Sequence, residues 1–126
     1  MIKLQFIAEI AALLKTQGFR KHRNYWYRIQ NDLLLCVNVQ GSQWDKNNYY
    51  VEIGAALLQE SAKNPTVLSW LFCHRCKGPD GKDLNISLAD CLQDMESVFC
   101  NFSSYDQLKN YLTTIKAVRV VNQFWF

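Results

Sequence analysis

The sequence predicts an α+β domain in which one N-terminal helix and two C-terminal helices cover one face of a four- to five-stranded antiparallel sheet. Two patterns support this prediction: apolar residues recur at helical spacing near both ends of the chain, and between these ends they alternate with polar residues over short segments. The chain has 126 residues, which fits a single domain, 1–126, with one hydrophobic core.

The first predicted helix covers residues 2–17 and stops at Gly18, because glycine readily adopts the left-handed conformation that ends many helices. Its apolar stripe contains Phe6, Ile7, Ile10, Leu13 and Leu14. A β-hairpin follows: alternation begins at Tyr25 and resumes at Leu33, after the turn residues Gln30-Asn31-Asp32. Tyr49, Val51, Ile53 and Ala55 define a third strand.

A fourth strand is predicted over residues 67–77, and it ends at the turn Gly78-Pro79-Asp80-Gly81. Ser87, with an Asp three residues later, resembles a capping box and starts a helix, and Ser104 starts another. The inward faces of these two helices contain Leu88, Leu92, Met95 and Phe99 in the first and Leu108, Tyr111, Leu112 and Ile115 in the second. Residues 117–126 fit either a fifth strand or a helical extension.

The composition sets few limits on function. A net charge of +3 and a pI near 8.6 lie below the value of about 9 that is typical of nucleic-acid-binding domains. No apolar run approaches the roughly 20 residues of a membrane-spanning helix, and no signal peptide is visible at Met1. We therefore expect a cytoplasmic protein without a membrane partner, and a core of this size needs no cofactor to fold.

Five cysteines, an odd number, argue against a disulfide framework in a chain without an export signal. Cys73-His74-Arg75-Cys76 has the C-x-x-C spacing of some zinc and redox sites. The remaining candidate zinc ligands, Cys91 and Cys100, fall near opposite ends of a predicted helix, so no metal site is expected. The pair also falls within a strand, where its thiols face opposite ways, unlike a thioredoxin-type motif.

The first candidate site is the sheet face turned away from the helices. We place Tyr25, Tyr27 and Ile29 on the helix side, so the opposite face receives the residues between them. With the loop residue Trp44, the predicted partner-binding set is Trp26, Arg28, Asn38, Gln40, Trp44, Tyr50 and Glu52. Aromatic, amide and charged groups together are typical of protein recognition surfaces. The alternative is an ordinary solvated face on which Arg28 and Glu52 form a cross-strand pair.

The second candidate site is the basic cluster Arg20, Lys21 and Arg23, which precedes the aromatic segment Tyr25-Trp26-Tyr27. Cations beside aromatic rings suit phosphate contacts and base stacking, so the stretch Arg20–Arg28, with His74 nearby on the sheet, could bind a small ligand or nucleic acid. The alternative is a solvated turn between the helix and the strand, because one loop of charges is not a basic stripe.

Catalytic motifs are not visible in the sequence. The chain has two histidines, neither of them beside a recognisable nucleophile, and it has no glycine-rich phosphate loop. The remaining catalytic possibility is a small hydrolase or transferase that uses Glu52 and His74 as an acid–base pair, which requires both side chains to converge in one pocket.

Four motifs, in this order, resemble the uncharacterised, mostly bacterial family known as domain of unknown function 4304. They are Gly18-Phe19-Arg20-Lys21, Tyr25-Trp26-Tyr27-Arg28, Asn38-Val39-Gln40-Gly41-Ser42 with Trp44, and Tyr49-Tyr50-Val51-Glu52-Ile53-Gly54. Cys73-His74 resembles a later motif of the family, and the resemblance covers residues 10–77. Glu52 stands where the family usually has Asn, which adds a negative charge to the first candidate site.

We therefore expect a non-enzymatic binding protein whose partner is another protein rather than nucleic acid. The small α+β build suggests, by analogy with the proteins of bacterial conflict systems, an immunity protein that occludes a toxin. In this interpretation Arg28 pairs with a partner carboxylate, the aromatic residues anchor the partner, and Asn38 and Gln40 set the register.

Overall fold

The structure is a computed structural model that describes residues 2–41, 45–58 and 70–115 and the backbone of residues 119–120. The N-terminal half contains the helix α1 (Lys3–Thr16) and the strands β1 (Arg20–His22), β2 (Tyr25–Gln30), β3 (Leu33–Gly41) and β4 (Tyr49–Leu57). The C-terminal half contains β5 (Phe72–Arg75), the helices α2 (Leu88–Phe99) and α3 (Tyr105–Thr114), and β6 (Arg119–Val120). This arrangement confirms the predicted α+β class.

The strands form one antiparallel sheet in which the six described strands follow in chain order, β1 to β6. The prediction missed β1, because its first strand began at Tyr25 and Arg20–His22 was assigned to no strand. These residues instead pair with β2, with Arg20 opposite Tyr27 and His22 opposite Tyr25. The reversal occurs over two residues, and Arg23 allows it with a left-handed φ of 55°.

All three helices pack on the same face of the sheet, as predicted. α1 contributes Phe6, Ile10 and Leu14 to the core and ends before Gly18, whose φ is 86°. The chain then folds back, because the Phe19 amide donates to the Leu14 carbonyl at 3.0 Å. This places the Phe19 ring in the core beneath the last turn of α1.

The predicted helix starts of the C-terminal half are confirmed. The Ser87 hydroxyl accepts a hydrogen bond from the Asp90 amide at the start of α2, and the Ser104 hydroxyl accepts one from the Gln107 amide at the start of α3. The turn after β5 closes with a bond of 2.9 Å from the Gly81 amide to the Gly78 carbonyl. The turn and the Ser87 cap thus determine where the chain leaves β5 and where α2 begins.

The opposite face of the sheet carries a second, smaller apolar cluster. It contains Leu34, Cys36, Ala56, Trp70 and Cys73, with Tyr25, Tyr27 and Leu58 packed against it. Gly54 makes this cluster possible, because a Cβ at this position would collide with the Trp70 ring and with the Phe72 carbonyl oxygen. Part of the face that was predicted to be open is therefore buried.

The predicted orientation of β2 is wrong by one residue. Gln30 lies opposite Leu33, so the hairpin turn contains two residues, Asn31-Asp32, and not the three that the prediction included. The even-numbered residues of β2 consequently share the helix side with Leu33 and Leu35, and Ile29, predicted to be core, is 58% exposed. Trp26 and Arg28 therefore leave the first candidate site.

The C-terminal tail is described only in part. Arg119–Val120 pairs with Phe72 and Cys73 of β5, which agrees with the strand alternative for the tail. The rest of the predicted segment 117–126, residues 67–69 of the predicted fourth strand, and Trp44 lie outside the described residues. None of the described helices is long and apolar enough to cross a membrane.

Candidate functional site

The first candidate site keeps four of its seven predicted residues on the face opposite the helices, and in register they form two cross-strand pairs. Asn38 lies opposite Glu52, and Gln40 lies opposite Tyr50. Asn38 and Glu52 are buried, however, with exposed fractions of 6% and 4%. The predicted side chains that a partner could touch on this face are therefore Gln40 and Tyr50.

Glu52 is held by a residue that the sequence prediction missed, Arg75 of β5. The Arg75 Nη2 donates to Glu52 Oε1 at 3.1 Å, and the Cys73 thiol donates to Oε2 at 2.6 Å. The guanidinium also stacks on Tyr50, 4.2 Å from the ring centroid, and lies 3.7 Å from Asp83 Oδ2. Burial opposes its charge, yet the hydrogen bond and the charges of the two carboxylates raise the pKa of Arg75.

A polar cleft of about 380 Å³ opens beside this cluster, with Glu52 and Arg75 in its wall and Lys77 and Asp83 among its other lining residues. Both Glu52 oxygens already accept hydrogen bonds, and the lining residues of the cleft include two cations, Arg75 and Lys77, and two carboxylates, Glu52 and Asp83. This balance of charge leaves the cleft without a strong preference for an anion or a cation. The predicted Arg28–Glu52 pair is wrong, because Arg28 lies on the other side of the sheet.

Strand register separates the side chains of Glu52 and His74, the proposed acid–base pair, although both residues line the cleft. Glu52 pairs in register with Arg75, whereas His74 pairs with Ile53 and shares its side of the sheet, so the two side chains point to opposite faces. His74 Nε2 lies 2.8 Å from Asp94 Oδ2 of α2. The histidine therefore joins β5 to α2.

The C-x-x-C cysteines also separate, as predicted. Cys73 lies in the small cluster on one face, and Cys76 lies in the main core on the other, so the two thiols cannot hold one metal ion together. A hydrogen bond with Cys91 and burial raise the pKa of Cys76, which keeps the thiol protonated. The environment of Cys76 is therefore that of a structural thiol.

The second candidate site retains Arg20 and Lys21 but loses His74, and Arg23 lies in the turn after β1, outside the lining of the crevice. β1 and β5 are separated by three strands in the sheet, so His74 lies far from Arg20. In its place the fold brings Lys15, in the last turn of α1, and Arg28, on the helix side of β2, next to the cluster. We call Lys15, Arg20, Lys21 and Arg28, with the rings of Phe19 and Trp26, the basic corner.

Specific contacts position the cations of the basic corner. Arg28 Nη1 donates to the Gln17 carbonyl at 3.1 Å, where the C-terminal end of α1 favours a positive charge, and its guanidinium lies 4.8 Å from the Phe19 ring centroid. Lys21 Nζ lies 5.5 Å from the Trp26 ring centroid. Cation–π contacts of this kind hold two of the charges beside aromatic rings.

A crevice of about 620 Å³ lies between α1 and β1 at this corner. Its lining residues are Ala11, Lys15, Gly18, Phe19, Arg20, Lys21 and Trp26. Apolar side chains thus form the floor, Lys15 and Lys21 lie on the rim, and Arg20 borders the crevice from the edge strand β1, with no carboxylate among the lining residues. An occupant that combines an apolar group with negative charge fits this arrangement.

The basic corner lies in the most positively charged part of the sequence, and Glu96 is the carboxylate that lines a cleft with Arg28 and Phe19. Residues 1–30 contain six Lys and Arg residues and one acid, Glu9, so their net charge is +5, whereas the rest of the chain has a net charge of −2. Within the described part of the chain, none of the four cations of the basic corner forms an ion pair with a carboxylate. The basic corner therefore belongs to a strongly positive segment of a chain whose remaining residues are slightly acidic in sum.

Comparison with known proteins identifies the family of this chain. The model of a family described as a domain of unknown function, DUF4304, matches residues 10–79, which is more than half of the 126 residues. The chain belongs to the DUF4304 family. No match is found among curated proteins or among solved structures.

The DUF4304 segment runs from α1 to the turn after β5, and it contains every residue of the basic corner. It also contains Gly54 with its close contact to Trp70, whereas Asp83 and Asp94 lie beyond it. The sequence motif Gly18-Phe19-Arg20-Lys21 thus has a clear structural role in this member of the DUF4304 family. It ends α1, sends Phe19 into the core and begins the edge strand.

Sequence reasoning missed Lys15, Phe19 and Arg75 as site residues. A signal for Lys15 was present in the net charge of residues 1–30, which the overall value of +3 conceals. Phe19 was recognised only as a residue that folds back onto α1. Arg75 had no signal of its own, because its contact with Glu52 depends on the register between β4 and β5.

Proposed function

We propose that this DUF4304 protein is a binding protein that recognises an acidic segment of another protein at the basic corner. The observation that carries the proposal is the crevice between α1 and β1, whose lining residues include Lys15, Arg20 and Lys21 and no carboxylate. Cations around a small apolar floor, with no carboxylate among the lining residues, favour a ligand with carboxylates beside an apolar side chain.

The aromatic rings favour a protein over nucleic acid as the partner. Base stacking needs an exposed ring face, but Phe19 and Trp26 are buried, with exposed fractions of 5% and 4%. The cations also surround one crevice and do not form a stripe along the molecule, which is the usual footprint of a nucleic-acid-binding domain. Nucleic acid is therefore the competing ligand that the experiment must include.

The finer expectations from the sequence stay predictions. A bacterial distribution, a cytoplasmic location and an immunity-like role are compatible with this proposal if the acidic partner is a toxin. A toxin gene next to the gene for this protein would favour that role, and its partner-binding surface would then be the basic corner.

The accessible part of the other sheet face is a second candidate for protein binding. Arg75 is stacked on Tyr50 and held by Glu52, so its guanidinium is positioned before any partner arrives. Arg and Tyr are frequent anchor residues of protein interfaces. A Tyr50→Ala variant, carried through the experiment below, reports on this surface.

The test measures binding of a fluorescein-labelled ten-residue polyglutamate peptide by fluorescence anisotropy, at low and at high salt. The test variant is Lys15→Glu, Arg20→Glu. Its matched control is Lys46→Glu, Lys82→Glu, which changes the total charge equally at exposed positions outside the basic corner. Circular dichroism verifies that all variants fold.

We expect the test variant to bind at least tenfold more weakly than wild type, which corresponds to about 1.4 kcal/mol, while the control stays within about twofold. Affinity should also fall with salt, because exposed charges are screened. Equal weakening of test and control variants would contradict the proposal. A ten-nucleotide oligothymidine that binds more tightly than the peptide would show that nucleic acid is the preferred ligand.

A further inference from the structure

We propose that the acidic segment binds as an extended strand that pairs with the outer edge of β1. This inference rests on the proposed function, since it specifies how an acidic segment occupies the basic corner. Three features of the described structure support it: the position of β1 in the sheet, the charge of its side chains, and the way these side chains alternate beside the crevice.

β1 is the outermost strand at its end of the sheet, and β2 is its only strand neighbour among the described residues. Arg20 and Lys21 are exposed. An antiparallel strand uses only one of its edges to pair with its neighbour, so the outer backbone groups of β1 face away from β2. Such an edge can accept the backbone of an extended peptide, which is a common mode of peptide recognition.

The charge of this edge selects the occupant. β1 and the turn that follows it contain Arg20, Lys21 and Arg23 and no carboxylate. Two copies of β1 placed edge to edge would bring like charges together, which disfavours pairing with a second copy of this chain. A strand with acidic side chains would instead place opposite charges across the new pair.

Side-chain alternation gives the incoming strand a specific pattern. Lys21 pairs with Trp26 and faces the helix side, next to the crevice, whereas Arg20 and His22 pair with Tyr27 and Tyr25 and face the other side. A residue opposite Lys21 would therefore point towards the apolar floor of the crevice. Its two neighbours would point towards Arg20 and His22, so the pattern that fits is acidic, apolar, acidic.

The probe is the acetylated, amidated pentapeptide Glu-Ile-Glu-Ile-Glu, compared with the block peptide Glu-Glu-Glu-Ile-Ile of equal composition and charge. Two further analogues of the alternating peptide carry N-methyl groups at alternate residues, one analogue for each edge of the peptide. Calorimetric titration measures the affinity of the full-length protein for all four peptides, and the Lys15→Glu, Arg20→Glu variant is the reference for binding at the basic corner.

We expect the alternating peptide to bind at least fivefold more tightly than the block peptide. One methylated analogue should retain its affinity and the other should lose it, because an added strand uses one of its two edges. Equal affinity for all four peptides, with loss of binding in the charge-reversed variant, would overturn strand addition while leaving the proposed function intact. Equal affinity of wild type and variant for every peptide would overturn both.

Discussion

The ion pair between the half-exposed Arg75 and the buried Glu52 gives a quantitative prediction about stability. Arg75 Nη2 and Glu52 Oε1 are 3.1 Å apart, and the two side chains are 43% and 5% exposed. Removal of one partner from a fully buried pair costs about 3–5 kcal/mol, whereas exposed pairs contribute about 1 kcal/mol or less. Because Arg75 is half exposed, we expect Arg75→Ala to lower the free energy of unfolding by about 2 kcal/mol.

A double-mutant cycle isolates the pair from other effects of the substitution. In a Glu52→Gln background no buried charge is left behind, so Arg75→Ala should cost less than about 1 kcal/mol. Urea denaturation followed by tryptophan fluorescence measures all four proteins, and Lys77→Ala, at an exposed neighbouring cation, is the control. An equal cost of Arg75→Ala in both backgrounds would refute the coupling inferred from the structure.

Three further predictions concern packing and thiol chemistry. Gly54→Ala should lower the free energy of unfolding by about 3 kcal/mol, because the added methyl group would lie 2.9 Å from Cδ2 of the Trp70 ring. Unchanged stability in urea denaturation would show that the ring can move aside. Of the five cysteines Cys100 is exposed and the other four are buried. A thiol reagent should therefore rapidly modify one thiol per molecule of native protein and none in Cys100→Ser. Rapid modification of more than one thiol would contradict the burial of the other four. Burial raises the pKa of Cys36 to about 12 from 9.0, so the thiol loses its proton at lower pH in the unfolded chain than in the folded protein. The free energy of unfolding should therefore fall as the pH rises from about 9 towards 12. In urea denaturation over this pH range Cys36→Ala should show a shallower fall, and an identical fall would refute this assignment.

The helices and the hairpin could be predicted because local signals determine them. Gly18 ends α1 with a positive φ, and Ser87 and Ser104 cap the two later helices. These signals act within a few residues and do not depend on tertiary contacts. For that reason the fold class followed from the sequence.

The orientation of β2 could not be predicted from its own residues. Tyr25, Trp26 and Tyr27 are all aromatic, so the alternation of polar and apolar residues is ambiguous at this point. The length of the turn decides which set faces the helices, and a two-residue turn at Asn31-Asp32 reverses the orientation that a three-residue turn would give. Because the turn is one residue shorter than predicted, Trp26 and Arg28 lie on the helix side of the sheet and not on the predicted binding surface.

The composition of the basic corner depends on long-range packing. Arg20 and Lys21 were recognised as a cluster from their adjacency in the sequence, but Lys15 joins them only because α1 packs beside β1 around the crevice. His74 was wrongly included, because the position of β5 in the sheet cannot be read from local sequence. Such contacts between separate elements are what a single sequence leaves undetermined.

The central claim, that the basic corner is the binding surface, is tested most directly by mapping a bound acidic peptide. The measurement is a titration of isotopically labelled protein with the polyglutamate peptide, followed through the backbone amide chemical shifts. We predict that the largest changes cluster at residues 15–28, with small changes at Tyr50 and Arg75. Largest changes at Tyr50 and Arg75, or changes spread evenly over the molecule, would contradict the account.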